Sequence, residues 1–246
     1  MTTPRTDHAA LPASARLAWW GTAWLRGAIG PDDLLDAVRA DDVAHVVIGD
    51  EPGLVPFLAR QRSAGADAIA ASFPAPGDPV GLRGPAALTA AAIESGEAAL
   101  LVGAGTALVP AGVGRAVEWT AYAADRRPPV DLGDADRALR TAVLDVARDL
   151  ARLDVARWRP EIADELVDLR AGEPVSPPPG VPRRCADLAG RALHLWRVVE
   201  LAAEDDGAAV SAGQIEQRRA ALRPLDHAVR LALTAAFSPD GWPPLP

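Results

Sequence analysis

The chain has 246 residues, with 33 acidic and 25 basic side chains and a formal net charge of −8. This charge argues against a nucleic-acid partner and against attraction to anionic lipid, because both need a positive field. Cys185 is the single cysteine, so no internal disulfide can form, which is typical of a reducing cytoplasm. All 25 basic residues are arginine, and asparagine is absent, as a gene rich in G and C would produce.

No targeting or membrane-spanning segment is predicted. The residues before a possible cleavage site at Ala13 include Asp7 and His8 where a signal peptide has an apolar run. The longest uncharged stretch, residues 98–114, is interrupted by glycines and a proline and cannot form a spanning helix. We therefore expect a soluble, cytoplasmic protein with no membrane partner.

The first half of the chain alternates between helical and strand patterns. Helices are predicted over 14–26, from Pro31 onward, over 54–63 and over 85–95, and strands over 43–48, 66–73 and 97–102. Strands that alternate with helices of about ten residues are typical of βαβ units, so we predict a small, mainly parallel sheet. Two more strands, 106–109 and 116–122, are expected to form an antiparallel hairpin that closes one edge.

The second half is predicted to be helical. Apolar residues recur at spacings of three and four from Leu139 onward, and again from Leu188 onward. Pro160 opens a further helix, and Ser211 with Gln214 forms a capping box for the last one, which Pro224 should kink or divide. The predicted fold class is α+β, with an α/β half at 13–125, an antiparallel four-helix half at 131–238, and tails at 1–12 and 239–246.

An acidic motif at Asp32, Asp33 and Asp36 matches the DDxxD pattern that binds magnesium diphosphate in terpenoid synthases. Those enzymes need a second acidic motif across an all-helical barrel, and the segment after Asp36 changes to strands. Acidic residues are also expected in the first turn of any helix, where they stabilise the dipole. We interpret the motif as a helix start.

Other catalytic and cofactor motifs are missing from the sequence. Residues 103–108 begin like a dinucleotide-binding loop, but Leu108 replaces the third glycine and a strand follows in place of a helix. His194 and His227 lie about 200° from the apolar stripes of their helices and belong to no metal-ligand pair. We predict no catalytic residue, no metal site and no cofactor.

The carboxyl ends of the predicted parallel strands are the expected place for a ligand, because such ends share one crevice. The loops there carry glycine beside polar groups that suit a hydroxyl-rich or cationic ligand. The candidate ligand-binding residues are Asp50, Glu51, Asp78, Arg83 and Thr106. Glycine and aspartate are also common in ordinary turns, which is the alternative interpretation.

Three tryptophans, Trp19, Trp20 and Trp24, fall within six residues of one predicted helix. One helix cannot bury all three in a single stripe, because Trp19 stands about 100° from Trp20. They form either part of the core or an exposed interface for a partner or a second copy. Both interpretations stay open.

Two stretches, residues 153–160 (LDVARWRP) and 221–226 (ALRPLD), resemble a group of actinobacterial hypothetical proteins. The similarity extends over most of the chain, and its motifs carry no chemistry. The resemblance implies an actinobacterial cytoplasm and a family without an assigned activity.

Two hypotheses of function follow. The first is a non-catalytic binding or scaffolding protein, because no acid–base pair, activated nucleophile or metal cluster can be assembled from the sequence. The second is a small-molecule binder or enzyme that uses the crevice at the carboxyl ends of the strands. The first is favoured.

Overall fold

The computed structural model describes residues 11–49, 53–152, 175–204 and 212–243. These ranges form a mixed α+β fold. The helices are α1 (Ala13–Leu25), α2 (Pro31–Arg39), α3 (Leu54–Ser63), α4 (Ala86–Ser95), α5 (Leu132–Arg152), α6 (Arg183–Glu204) and α7 (Ala212–Ala236). The strands are β1 (Ala44–Val47), β2 (Ala68–Ser72), β3 (Ala98–Val102), β4 (Thr106–Val113) and β5 (Ala116–Ala123), and a 3₁₀ turn covers Pro239–Gly241.

The five strands form one sheet in the order β1-β5-β4-β3-β2. Only β1 and β5 pair in parallel, and the other three pairs are antiparallel. The prediction of a mainly parallel sheet is therefore wrong. The predicted β4–β5 hairpin exists, but it lies inside the sheet, because β5 also pairs with β1.

The route of the chain between β2 and β3 explains the antiparallel pairing. The segment 73–85 leads from the end of β2 to the other end of the sheet, where Gly84 packs against the carbonyl of Ala123. Helix α4 returns, and Ser95 near its end donates its hydroxyl to the carbonyl of Pro110 at 2.7 Å. Since segment 73–85 has already made one crossing, the helix brings the chain back to the end where β2 finished.

Helix α1 begins without a cap of its own, because Pro12 at the N-cap position has no hydrogen-bonding side chain. Glu97, which directly precedes β3, caps it instead. One oxygen of Glu97 accepts the backbone N–H of Ser14 at 2.8 Å and the Ser14 hydroxyl at 2.5 Å. Burial raises the pKa of Glu97, and the hydrogen bonds from Ser14 oppose this shift. The start of α1 is thus stabilised by a residue 83 positions away.

The two faces of the sheet pack against different helices. Helix α1 lies on one face with β2, β3 and β4, in a core that also contains buried residues of α5, α6 and α7. Helix α4 covers part of the other face in a smaller cluster around Leu88 and Leu100. The α/β half and the helical half therefore share one hydrophobic core.

In the helical half, α5 and α6 both pack against α7. The fourth helix predicted from Pro160 lies outside the described residues. Pro224 lies within α7 and does not divide it. Residues 239–243, which composition predicts to be part of a tail, include the 3₁₀ turn and the buried Trp242, whose ring lies 5.0 Å from the Arg26 guanidinium.

Of the helices in the described ranges, none combines the length and the apolar character needed to cross a membrane.

Candidate functional site

The predicted crevice depended on parallel strands, and the observed sheet does not provide it. Because β2 and β3 are antiparallel, their carboxyl ends lie at opposite ends of the sheet. The loop with Asp78 leaves from one end, and the turn before Thr106 is at the other. Asp50 and Glu51 fall outside the described residues. The candidate ligand-binding residues are therefore not shown to share one pocket.

Asp78 connects the loop after β2 to helix α7. One carboxylate oxygen accepts hydrogen bonds from Nδ1 of His227 at 2.6 Å and from the guanidinium of Arg230 at 2.9 Å. Arg230 is buried and also pairs with Asp226 at 2.8 Å. Burial raises the pKa of Asp226, and the Arg230 charge opposes this shift. These contacts give Asp78 a structural role that sequence reasoning missed, since its partners are about 150 residues away.

Thr106 lines a surface cavity of about 490 Å³ between the β3–β4 turn and residues 124–129. A second cavity of about 710 Å³ lies between the starts of α5 and α6, and Pro129 and Asp240 line both. We call the two together the Asp240 cleft. Arg127 pairs with Asp240 at 2.5 Å, and its side chain is only 9% exposed. Arg83 lines neither cavity; it is exposed, and its carbonyl accepts the N–H of Asp125 at 3.0 Å.

The tryptophans of α1 belong mostly to the core. Trp19 is fully buried and donates its indole N–H to the carbonyl of Ala236 at 3.0 Å. Trp20 is also buried, and Trp24 is partly exposed with the guanidinium of Arg62 at 5.9 Å from its ring. Since Trp19 and Trp20 are covered by this chain's own residues, the core interpretation describes both of them.

The acidic motif of α2 is an exposed helix start. Asp32, Asp33 and Asp36 are exposed in the first turns after Gly30. Asp33 accepts the backbone N–H of Gly30 at 3.2 Å, which is the geometry of a capping interaction.

Reactive and metal-binding groups are scarce in the parts of the chain that the structure describes. There, no group of three or more His, Cys, Asp or Glu side chains is arranged to hold a metal ion. Cys185 is buried, and this burial raises the pKa of its thiol to about 11. It is therefore a neutral thiol at physiological pH and packs as a small apolar side chain.

A buried histidine links three elements beside the edge of the sheet. Trp119 of β5 donates its indole N–H to Nδ1 of His45 at 3.0 Å, so the imidazole proton is on Nε2. Nε2 lies 3.1 Å from Asp42, whose carboxylate also accepts from Arg16 of α1 at 2.7 Å. Burial lowers the pKa of His45, with Asp42 opposing the shift. These contacts fix one tautomer and fasten β1 to the body of the protein.

The exposed face beside β1 is the most unusual surface of the described residues. Among the residues that the structure describes, five large hydrophobic side chains are exposed. Four of the five lie at this edge: Val43 (53% exposed), Val46 (37%), Ile48 (46%) and Val113 (50%). We call these four residues the β1 surface. Sequence reasoning missed it, because an apolar run such as 43–48 is also typical of a strand that is buried on both faces.

The strand register places Val113 and Val46 on the same face of the sheet, in neighbouring rows. Val113 lies opposite Ala116, and Ala116 lies beside Ala44, so these three side chains form one row on the same face of the sheet. Val46 lies beside Glu118 in the next row. Helix α4 packs over this face of the sheet at Ala107 and Val109 of β4, whereas residues 111–113 are exposed.

The fold defines a mixed α+β protein, and within the described ranges no further strand pairs with the apolar edge strand β1. Residues 14–132 match the model of the Rv1486c-like protein, N-terminal domain, and residues 133–234 match that of the Rv1486c-like protein, C-terminal domain. The chain therefore belongs to the Rv1486c-like family. The predicted resemblance to a family without an assigned activity is confirmed.

Two relatives extend the match over nearly the whole chain. The uncharacterized protein Rv1486c of Mycobacterium tuberculosis (strain ATCC 25618 / H37Rv) is 27% identical over 286 aligned positions, which cover 94% of this chain and 98% of the relative. The uncharacterized protein MT1533 of the same species (strain CDC 1551 / Oshkosh) has the same identity and coverage. No solved structure matches the chain significantly.

Proposed function

We propose that this is a non-catalytic binding or scaffolding protein that binds a protein partner by adding a strand to the free edge of β1. The clustering of four exposed hydrophobic side chains at this edge carries the proposal. Contiguous apolar patches of this kind mark interaction sites on proteins that are otherwise polar outside. A cytoplasmic location is part of the proposal, and the single, buried cysteine supports it.

The difference between the two edges of the sheet supports this choice of surface. At the β2 edge, the N–H of Ala71 donates to the carbonyl of Phe237 at 3.0 Å, and α7 packs against this strand. At the β1 edge, β5 is the one neighbouring strand among the described residues. Edge strands are usually protected by charge, proline or a covering element, because their free backbone groups can pair with another chain. β1 contains no proline and no acidic or basic residue other than His45.

The proposal also includes a division of the chain into an α/β half at 13–125, which carries the binding surface, and a helical half at 131–238. The match of separate N- and C-terminal family models, which meet between residues 132 and 133, supports such a division.

Site-specific photo-crosslinking in the native cell tests the proposal. A photoreactive amino acid replaces Val46, and in a matched control it replaces Leu144, an exposed hydrophobic residue of α5. We expect a discrete protein adduct from position 46, and loss of that adduct when Val43→Lys is introduced beside it. Equal labelling from both positions, or no adduct from position 46, would contradict the proposal.

A second candidate function is binding of a small polar molecule in the Asp240 cleft. The size of the cleft, its mixture of arginine and aspartate side chains, and the position of Thr106 in its wall support this candidate. Native mass spectrometry of the purified protein would show a co-purified ligand as added mass. Thr106→Phe, which fills the smaller cavity, should abolish the added mass. A bare protein mass from both forms would argue against this candidate.

A further inference from the structure

We propose that the partner segment that adds to β1 places an arginine or lysine side chain over Val46, where its charge pairs with Glu118. This inference rests on the proposed function, because it names the chemistry of the partner for the same surface. It is carried by the free backbone groups of β1, by the position of Glu118 beside Val46, and by the acidic residues on both sides of the strand.

The backbone of β1 determines which groups are free to pair with another strand. β1 and β5 are parallel, and the N–H of Ile48 donates to the carbonyl of Trp119 at 2.9 Å. In this register the even-numbered residues of the strand direct their backbone groups to β5, and the residues between them direct theirs to the opposite side. The N–H and C=O groups of His45 and Val47 therefore lie at the free edge.

One antiparallel register uses all of these groups. Residues that face each other with their amides exchange two hydrogen bonds, so partner residues opposite His45 and Val47 form four in total. The partner residue between them lies opposite Val46 in a non-hydrogen-bonded pair, where side chains on the two strands are closest. The residue opposite Val46 is therefore the one that β1 and its neighbours select most strongly.

Glu118 of β5 makes this position selective. It lies between Ala111 of β4 and Val46 of β1, so the partner residue extends the same row of the sheet. Glu118 is partly buried, and within the described ranges its carboxylate has no hydrogen-bond or ion-pair partner. Covering an unpaired carboxylate costs free energy, and an opposite charge offsets this cost. A segment with an apolar or acidic residue opposite Val46 is thus disfavoured.

A long basic side chain opposite Val46 can reach Glu118. Neighbouring strands lie about 4.8 Å apart, so the partner residue stands about 10 Å from Glu118 across the row. Arginine and lysine lay their apolar stems on hydrophobic surface and keep the charged end beyond it. Here the stem covers Val46 and the charged end meets Glu118. Partner residues two positions away face Ala44 and Ile48, so apolar β-branched residues suit them.

The charges around β1 favour a basic partner over a second copy of this chain. The residues before and after the strand include four acids: Asp41, Asp42, Asp50 and Glu51. Two antiparallel copies would bring the start of one strand to the end of the other, and so acidic residues toward acidic residues. Asp42 is paired with Arg16, and the exposed Arg39 and Arg115 lie near the start of the strand. The row of Glu118 itself contains no basic side chain.

Titration of the full chain with two synthetic peptides, followed by NMR, tests this inference. Acetyl-TVTRTVT-amide has arginine at its centre, and acetyl-TVTETVT-amide has glutamate there. We expect both free-edge amides, those of His45 and Val47, to shift with the arginine peptide, and its Kd to be about tenfold lower than that of the glutamate peptide. Glu118→Gln should remove this preference, and Glu118→Arg should reverse it. Glu94→Gln, an exposed substitution on α4, is the matched control and should leave it unchanged.

Equal affinity of the two peptides for the parent chain, or a preference that persists in Glu118→Gln, would overturn the inference. If both peptides shift the His45 and Val47 amides equally, strand addition stands and only the basic partner falls. Absence of any shift with either peptide would also overturn the basic partner, and a crosslinked adduct from position 46 would then leave the proposed function intact. Absence of both the shift and the adduct would contradict both proposals.

Discussion

Trp119 donates its indole N–H to Nδ1 of His45 over 3.0 Å, and this bond joins the edge strand to the strand beside it. It can exist only while Nδ1 is unprotonated, because a protonated imidazole has no acceptor. The charged groups that act on His45 are Asp42, Arg16 and Arg39. Helix α3 also packs on β1, but its arginines, Arg60 and Arg62, are exposed.

The first prediction concerns pH. The pKa of His45 is lowered in the folded state from its ordinary value of 6.5, so the unfolded chain binds this proton more readily. Stability should therefore fall as pH drops below about 6.5 and level off once the folded-state pKa is passed. Urea unfolding at a series of pH values measures this. In His45→Gln, the free energy of unfolding should no longer fall with pH below about 6.5. An unchanged pH dependence in this variant would mean that other groups cause it.

The same protonation should break the hydrogen bond between Trp119 and His45, because a protonated imidazole has no acceptor for the indole N–H. The indole N–H resonance of Trp119, followed by NMR during acidification, should therefore shift as His45 takes up its proton. An unmoved resonance would show that this bond survives acidification.

The cap that Glu97 supplies to α1 gives a third prediction. Glu97→Ala should lower the free energy of unfolding by about 1–2 kcal/mol, the usual effect of removing a helix N-cap. Glu94→Ala, an exposed substitution on α4, is the matched control and should have little effect. Chemical denaturation of both variants compares them. Equal stabilities would mean that Ser14 finds another acceptor.

The close approach of two turns gives a fourth prediction. Gly103 has a φ of +90°, and a Cβ at this position would lie 2.3 Å from the carbonyl oxygen of Gly65. Gly103→Ala should therefore destabilise the fold by several kcal/mol, combining backbone strain with overpacking. Gly114→Ala is the control, because Gly114 also has a positive φ of +61° but has open space around it. Its cost should be that of the backbone alone, about 1 kcal/mol.

Asp78 supplies a fifth prediction, which separates a structural from a ligand-binding role. Asp78→Ala removes an acceptor shared by His227 and the buried Arg230. The free energy of unfolding should fall by about 1.5–3 kcal/mol, the range for hydrogen bonds to charged groups. Native mass spectra should be unchanged. Retained stability together with loss of a bound ligand would contradict the structural role and support the predicted ligand-binding role of Asp78.

Local structure could be predicted from the sequence, and the arrangement of the strands could not. Periodicity and turn residues predicted α3 over 54–63, as observed, and predicted β2 and β3 within two residues of their observed ends. Pairing direction depends on how far the chain travels between strands, and the irregular course of residues 73–85 leaves no periodic signal. Because the predicted crevice depended on parallel pairing of these strands, the observed sheet does not form it.

The same limit applied to individual side chains. The sequence correctly suggested that Asp33 belongs to a helix start, because this depends on neighbours in the chain. The roles of Asp78 and Trp19 depend on partners 149 to 217 residues away, and no sequence pattern connects them. Exposure of the β1 surface likewise depends on which residues of the sheet α4 packs against, and the sequence does not show this.

Hydrogen exchange at the β1 edge tests the central claim most directly. The amides of His45 and Val47 face away from β5 and should exchange rapidly in the purified chain, whereas those of Ala44 and Val46, which face β5, should exchange slowly. Rapid exchange at His45 and Val47 would agree with an edge that is free to accept another strand. Protection of both of these amides in the purified monomeric chain would mean that the edge is already covered within one chain, and would contradict strand addition at β1.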